Sequence, residues 1–561
     1  MHRSERTVHE QIVYRLGSTH RGITYHDIVE GQVIRHSAAE VRRDMLAAAS
    51  ALRALGIQRG DRVAMVGLNS TRYLILDVAI GLAGAVSVPL YYTSPPDDLD
   101  AILQASGARL LFIGAPQVLD RLAELKTELP VISFLERPVS ENKVIAWERF
   151  LSLGSDGPEV TASPAGFGDT ATLRYSSGTT GRPKGVMFNH EHLRWMGECL
   201  PALMPWTARN KSANYLSWLP MNHVVEGILA TYSPYYASAP VNIYFLQDLH
   251  DLARTLPRVK PTIFFSVPRV YEKVWERFQD NKLGRLYLGL REDVIKRMLR
   301  PLLRWSLLRN AGFDRCAMLM VGSAASSEGL LRAYHELGVE VHNSYGLTEA
   351  PLVTMNRQGA NRLGTVGELL PRTAIRIEED GELLVRGPQV TAGYFNEGEA
   401  TPFRDGWLAT GDLGQMTADG SLVILGRKKE LIKTSYAKYV HPAKIESRLK
   451  EIPGVAEAML VGEGKPFCVA LMWADDGHGD PARAEKIDGA VRVMNEQLSH
   501  PEQVKRWAIL PNDLSIERGD LTANLKLKRR AVTQRLQPVL SALYDSGKAC
   551  DNVLHIGAAE R

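Results

Sequence analysis

Cysteine is scarce in this chain. Four are present in 561 residues: Cys199, Cys316, Cys468 and Cys550. They lie far apart and make no Cys-x-x-Cys pair, which excludes a disulfide framework and reads as free thiols in a reducing compartment. Long hydrophobic runs are also missing. The longest apolar stretch, Tyr73 to Leu90, is interrupted by Asp77, Gly81, Gly84 and Pro89. A membrane-spanning helix needs about 20 apolar residues with few charges, so this stretch is expected to be a buried helix running into a buried strand. The N-terminal residues Met1 to Thr7 are polar, and no signal peptide is expected. A charge surplus is absent too: 67 basic against 63 acidic residues leave +4, which gives no argument for nucleic acid. No internal repeat or low-complexity tract occurs. What is there, 45% hydrophobic and 23% charged residues, can bury a sizeable core and rules out wholesale disorder. The length points to a large domain plus a smaller one, in a soluble, cytoplasmic protein.

The apolar pattern alternates between two periods. Ser37 to Leu55 carries Val41, Met45, Leu46, Ala49, Leu52 and Leu55 near the helical spacing, and Gly56 ends it. Short apolar runs at 62–67, 85–90 and 109–114 read as buried strands, and the rhythm returns at 260–267 and 317–322. Alternating helices and short strands argue for α/β layers with largely parallel sheets. After Arg376 the strands come closer together, at 375–377, 382–386 and 422–425, so this part is β-rich. The charged run Arg427-Lys-Lys-Glu430 reads as a surface linker. Beyond it a helix (443–449) and two strands (456–461, 467–473) predict a small α+β domain. The expected fold class is therefore α/β: a large N-terminal domain of layered α/β subdomains plus a β-rich subdomain, residues 1–428, and a small α+β C-terminal domain, residues 429–561.

The segment Arg174-Tyr-Ser-Ser-Gly-Thr-Thr-Gly-Arg-Pro-Lys-Gly-Val186 stands between two apolar strands. It offers backbone N–H groups, hydroxyls and a lysine within a few residues. Those groups hold a polyphosphate: amides for close approach, hydroxyls for oxygens, an ammonium for charge. Glycine lets the backbone come near a ligand. The spacing is not that of a Walker loop, because Gly178 and Gly181 are too close and Gly185 follows Lys184. A bare Ser/Gly turn is the bland alternative.

The full string resembles the phosphate-binding loop of the acyl-adenylate-forming superfamily, which includes acyl-CoA synthetases, peptide-synthetase adenylation domains and firefly luciferase. Four further motifs follow in the family's order: Tyr345-Gly-Leu-Thr-Glu349, Thr410-Gly-Asp412, Gly426-Arg427 with Lys429, and Leu521-Thr-Ala-Asn-Leu-Lys526. The resemblance covers nearly the whole chain. It implies ATP, Mg²⁺ and CoA as cofactors and a small-molecule carboxylic acid as substrate. It implies that Ser176, Ser177, Gly178, Thr179, Thr180, Gly181 and Lys184 hold the phosphates, and that Glu349 and Thr180 reach the metal. Tyr345 would stack on adenine, with Gly322, Ser323 and Ala324 along its other side and Asn343, Ser344, Gly346 and Thr348 around it. Asp412 can accept hydrogen bonds from both ribose hydroxyls, with Arg427 beside it; read alone it is a turn aspartate. His223, in Trp218-Leu-Pro-Met-Asn-His-Val-Val-Glu226, matches the position beside the acyl carboxylate. Lys526 matches the lysine that stabilises the charge developing in the first step; read alone, it belongs to a solvated basic run with Lys528, Arg529 and Arg530. Lys429 matches the hinge about which the small domain, mobile in the family, turns. Lys433 belongs to the loop that serves the second step.

The strings at 218–226, 260–272 and 521–529 look like the long-chain acyl-CoA synthetase branch. That branch implies an elongated apolar acyl tunnel, with candidates between Ile228 and Phe265. Two departures stand out. The loop Ser435-Tyr436-Ala437-Lys438 has Tyr-Ala where the branch has Gly-Gly. A tyrosine would narrow the pantetheine channel, and alanine resists positive φ. This motivates an alternative in which acyl-AMP is delivered to a carrier-protein thiol or is the end product. A catalytically quiet lipid-binding member of the fold is the further alternative. The second departure, Arg174, stands where relatives are apolar, and nothing in the sequence accounts for it. Finally, Lys282 to Asn310 reads as a basic amphipathic helix with Leu299, Leu302, Leu303 and Trp305 among its arginines. Such a helix suits either ordinary packing on the large domain or peripheral contact with an anionic membrane.

Overall fold

The computed structural model describes residues 5–18, 22–136, 144–155, 160, 163–177, 183–204, 212–291, 294–396, 402–474, 481–515, 518–521, 527–545 and 553–559. The largest sheet has eight strands in the order 393–394, 183–189, 170–177, 86–90, 62–67, 110–114, 131–133, 144–146. From Thr170–Ser177 to Val144–Ala146 the neighbours run parallel; Pro183–Asn189 and Gly393–Tyr394 are antiparallel. A five-stranded sheet follows, with Ile263–Ser266, Met318–Val321 and Val341–Leu347 parallel, then Ala350–Met355 and Glu368–Leu369 antiparallel. A four-stranded sheet joins Ile23–Val29 to Val241–Leu246 across more than 200 residues of sequence. The β-rich part pairs Ala374–Ile377, Glu382–Arg386, Trp407–Met416 and Leu422–Arg427 antiparallel. The small C-terminal domain holds a hairpin, 432–433 with 439–440, and a four-stranded sheet of 455–461, 468–474, 504–511 and 555–558.

The helix Ala38–Ala54 shows why the local pattern was readable. Ser37 and Glu40 form a reciprocal capping box, which satisfies orphan N–H groups at the helix start. Val41, Met45, Ala48, Ala49 and Leu52 are buried, and Gly56 follows with φ +80°. The stretch expected to run from buried helix to buried strand is Thr71–Leu82 followed by Val86–Leu90. No described helix is long and apolar enough to cross a membrane. The single helix expected over 282–310 is instead two, Lys282–Gly289 and Val294–Ala311, because the backbone turns extended at Leu290. Cys199, Cys316 and Cys468 are free thiols, as expected, and burial pushes each upward, to about 12, 12 and 11. Cys550 lies outside the described residues.

Candidate active site

The strand ends of the large domain and one edge of the small domain enclose a cavity of about 1820 Å³. Of the residues the sequence singles out, Lys184, His223, Ser323, Ser344, Gly346, Thr348, Glu349, Arg427 and Lys429 line it. They come from five separate stretches of chain: His223, Ser323 and the 344–349 stretch lie at or beyond the carboxyl ends of parallel strands, where open α/β sheets place their ligands, and Lys184, Arg427 and Lys429 come from antiparallel strands and the turn that follows.

The end expected to take phosphate is built by the antiparallel pair 170–177 and 183–189, which sets Ser176 opposite Lys184 and Ser177 opposite Pro183. Gly178, Thr179, Thr180 and Gly181 lie outside the described residues, as do the side chains of Ser176 and Ser177. The Lys184 ammonium stands 4.7 Å from the Tyr394 ring centroid. Tyr394 donates to the Glu349 carboxylate at 2.8 Å. Its two-residue strand pairs with the strand carrying Lys184, with Tyr394 opposite Val186. One tyrosine thus braces both the lysine and the carboxylate. Sequence reading missed it, since a lone tyrosine after a glycine carries no motif. A carboxylate beside a hydroxyl-rich loop is a donor set that fits Mg²⁺.

The nucleoside end is a locked corner. Arg427 and Asp412 face each other across antiparallel strands, and the Arg427 Nε meets Asp412 Oδ1 at 2.7 Å. The Tyr345 hydroxyl donates to Asp412 Oδ2 at 2.6 Å. Burial and this carboxylate push the Tyr345 phenol well above its ordinary range, so it remains a donor. The Asp412 N–H is held by Thr410 Oγ1 at 3.0 Å. Both Asp412 oxygens therefore have a protein partner, and each retains a lone pair for a further hydroxyl. Opposite, Ser323 adopts φ +65° after the buried Gly322, where a Cβ would lie 2.7 Å from Ser344 Oγ. Ser344 donates to the Val321 carbonyl, and the Asn343 side chain accepts from the Ser344 N–H. Ala324 is exposed beyond this turn. Ser323, Ser344 and Gly346 line the cavity here, whereas Gly322, Ala324, Asn343, Tyr345 and Asp412 stand behind its wall.

The third arm is apolar. Leu200, Met204, Ala213, Leu229, Val241, Ile263, Phe265 and Met320 line it, with Asn214, Tyr215 and Ser233 among the few polar groups. The expected window, Ile228 to Phe265, contains only part of this wall. Tyr215 donates to the buried Glu226 carboxylate at 2.7 Å, and burial raises Glu226 to about 7. His223 lines the same cavity.

Arg174 now has an explanation. It is buried one strand turn before the phosphate loop and donates to the carbonyls of Met221, Asn222 and Gly227, at 3.0, 3.2 and 3.1 Å. These carbonyls flank His223 in sequence. Gly227 is the notch that admits the guanidinium: a Cβ there would lie 2.4 Å from Arg174 Nη1 and 1.9 Å from the Met221 carbonyl oxygen. Arg174 also offsets part of the burial that pushes the neighbouring Asp77 carboxyl up, while Tyr232 donates to Asp77 at 2.6 Å.

The small domain contributes Leu521, Leu527, Lys528, Arg529 and Arg530 to the cavity wall. Leu521 and Leu527 pair across the intervening residues. Lys526 lies outside the described residues. Arg529 holds the half-buried Glu446 at 2.7 and 2.6 Å, which fixes the base of this edge. Glu451, at the end of the helix Pro442–Lys450, reaches the large domain: it bonds Ser327 and accepts from the Gly329 N–H at 3.2 Å, at the start of the helix Glu328–Glu336. A carboxylate at a helix N-terminus meets a favourable dipole.

The remaining candidates are not brought to the cavity. Lys433, Ser435, Tyr436, Ala437 and Lys438 form the exposed hairpin tip, closed by Thr434 N–H to Lys438 O at 2.9 Å. Tyr436 is 71% exposed. The alanine expected to resist positive φ adopts it nonetheless, at +56°. The turn needs that geometry and takes the strain.

Comparison with known proteins agrees with this geometry. Residues 19–395 match the AMP-binding enzyme family and residues 429–548 its C-terminal domain. A long-chain-fatty-acid–CoA ligase of Mycobacterium bovis is 32% identical, over 93% of this chain and 94% of that relative. A long-chain-fatty-acid–CoA ligase of Gallus gallus is 29% identical, over 89% of this chain and 76% of its own length. The adenylation domain of a carboxylate reductase from Mycobacterium chelonae superposes with a TM-score of 0.79 at 21% identity, covering 97% of this chain and 92% of that one, a likeness of fold. On these matches and on the five ordered motifs, the chain belongs to the AMP-binding enzyme family, in the branch of the long-chain acyl-CoA synthetases.

Proposed function

We propose that the protein is an AMP-forming acid–thiol ligase that activates a medium- to long-chain apolar carboxylic acid and passes the acyl group to CoA. The observation that carries this reading is one cavity whose wall combines Lys184 and Glu349, Thr410, Gly411 and Arg427 beside the buried Asp412, His223, and a group of apolar residues between Leu200 and Met320.

In the first step the acid's carboxylate oxygen attacks the α-phosphorus of ATP and pyrophosphate leaves. Lys184 and the 176–181 loop hold the departing phosphates; Glu349 and Thr180 would hold Mg²⁺, which would supply further positive charge there. Asp412 takes the ribose hydroxyls and Tyr345 one face of adenine. Arg174 fixes the backbone on either side of His223, which positions the carboxylate. Lys526 supplies the positive charge at the reacting oxygens; its described neighbours Leu521 and Leu527 already line the cavity. In the second step the CoA thiol attacks the acyl carbonyl and AMP leaves. One closed site cannot present both sets of groups, so the domain of residues 429–561 turns about Lys429 and brings the Lys433 hairpin inward. The free thiols suit a cytoplasmic enzyme.

The test is a mass-spectrometric assay with ATP, Mg²⁺, CoA and a panel of short, medium, long and aromatic acids, reading acyl-AMP and acyl-CoA separately. A dominant acyl-CoA of an apolar acid is expected. Acyl-AMP without acyl-CoA would transfer the assignment to a carrier-protein thiol, the reading that Tyr436–Ala437 motivates. No ATP turnover with any acid would overturn the ligase assignment.

A further inference from the structure

The helix Val294–Ala311 is apolar on two opposite faces. Leu303 and Leu307 are buried against the large domain. Val294, Met298, Leu302 and Trp305, spaced by four, four and three residues, form one stripe on the other side. They are 70%, 75%, 57% and 53% exposed. A helix of a water-facing surface puts polar residues there. The preceding helix, Lys282–Gly289, repeats the arrangement: Gly284 and Tyr287 face inward, Leu283 and Leu286 outward. Tyr287 ties the two helices together, with Lys296 over its ring at 5.2 Å and Arg300 donating to its hydroxyl at 3.4 Å. The two outward stripes are thus held as one surface.

Charge decides what covers it. Residues 282–311 contain eight Lys and Arg and only two acids, Glu292 and Asp293, both at the joint between the helices. Arg285, Arg297, Arg304 and Arg309 are exposed. Arg309 lies 5.0 Å over the Trp305 ring, an aromatic and a guanidinium at one level. Two copies of this face would bring arginines against arginines. An anionic bilayer instead offers acyl chains to the stripe and phosphates to the arginines.

We infer that these two helices form a docking surface for an anionic lipid membrane, with Val294, Met298, Leu302 and Trp305 entering the interface and the arginines meeting the headgroups. The location gives the contact a use. The strand Ile263–Ser266 sends Phe264 into the buried cluster that holds Leu303 and Leu307, while Ile263 and Phe265 line the cavity. One layer of helix and strand therefore separates the membrane face from the apolar arm. An enzyme seated this way collects its acid where such acids concentrate; this use rests on the proposed function, the docking does not.

The test uses the full-length protein and vesicle flotation. Vesicles of phosphatidylcholine with about a third phosphatidylglycerol are compared with phosphatidylcholine alone. Binding to the anionic vesicles is expected, at least tenfold stronger than to the neutral ones and weakened by salt. The variant Met298→Gln/Leu302→Gln removes two outward side chains and should lose binding about tenfold. Its turnover of a short water-soluble acid should be unchanged, which separates lost docking from lost folding. No binding to the anionic vesicles, or equal binding by the variant, overturns the inference. A self-association that the variant abolishes, without vesicle binding, assigns the surface to a second copy and overturns it equally. Vesicle binding is read without ATP, so failure of the ligase reading leaves this result interpretable.

Discussion

The corner around Asp412 and the hairpin at 432–440 are built by opposite means. In the corner, Asp412 is buried, both its oxygens are engaged, and its partners come from two different strands. In the hairpin, Tyr436 and Tyr439 are exposed and Ala437 carries positive φ. The first is set before any ligand arrives. The second is held by a few turn hydrogen bonds and points away. On the proposed two-step reading, groups that serve the first step are fixed by burial, while groups that serve the second ride on a surface element.

Four substitutions break or sharpen this contrast. The largest effect is expected from Lys526→Ala, which should slow adenylation by about 10²–10³, the cost of one preorganised donor. Pyrophosphate release measured in the absence of CoA reads this directly, and an unchanged rate would remove Lys526 from the first step. Next comes Arg174→Met. It leaves three buried carbonyls without donors, at about 1–3 kcal/mol each before relaxation. A net destabilisation of roughly 3 kcal/mol is expected in chemical denaturation. Arg174→Lys should recover part of it and part of the adenylation rate.

Glu226→Gln should act through pH. Burial raises the Glu226 carboxyl from its ordinary 4.5 to about 7 in the folded protein. The folded state then binds more protons than the unfolded one between these values. This group's contribution to stability is fullest below the unfolded pKa and declines as pH rises to about 7. A shift of two to three units is worth roughly 3 kcal/mol across that window. The amide should abolish this slope, and denaturation midpoints on either side of the window check it. The smallest effect belongs to Ala437→Gly. Left-handed backbone costs alanine about 1–2 kcal/mol, and glycine returns roughly half of the gain in unfolded-state entropy. A stabilisation of about 0.5–1 kcal/mol is expected; a loss would mean that the methyl group has a packing role.

The corner and the phosphate strands were legible because their residues sit in contiguous strings. Tyr345 to Glu349 is one strand and its turn, so a motif delivers a whole wall. The apolar arm was not legible, because its wall is gathered from segments between Leu200 and Met320 whose side chains look like any core. Arg174 stood out as odd, but its partners are carbonyls 47 to 53 residues away, and a carbonyl leaves no trace in a sequence. Tyr394 was invisible for a similar reason: a two-residue strand has no periodicity. The basic helices at 282–311 showed their charge and apolar spacing, yet the extended backbone at Leu290 divided what periodicity joined.

In the proposed cycle, Glu451 acts as a clock. On the proposed turnover, the small domain lets go of the helix start at Ser327–Gly329 once per product formed and returns to it once. The grip touches neither acid, nucleotide nor thiol. Its strength therefore divides time between the two arrangements without altering either reaction, and a tighter hold would favour making the adenylate over spending it.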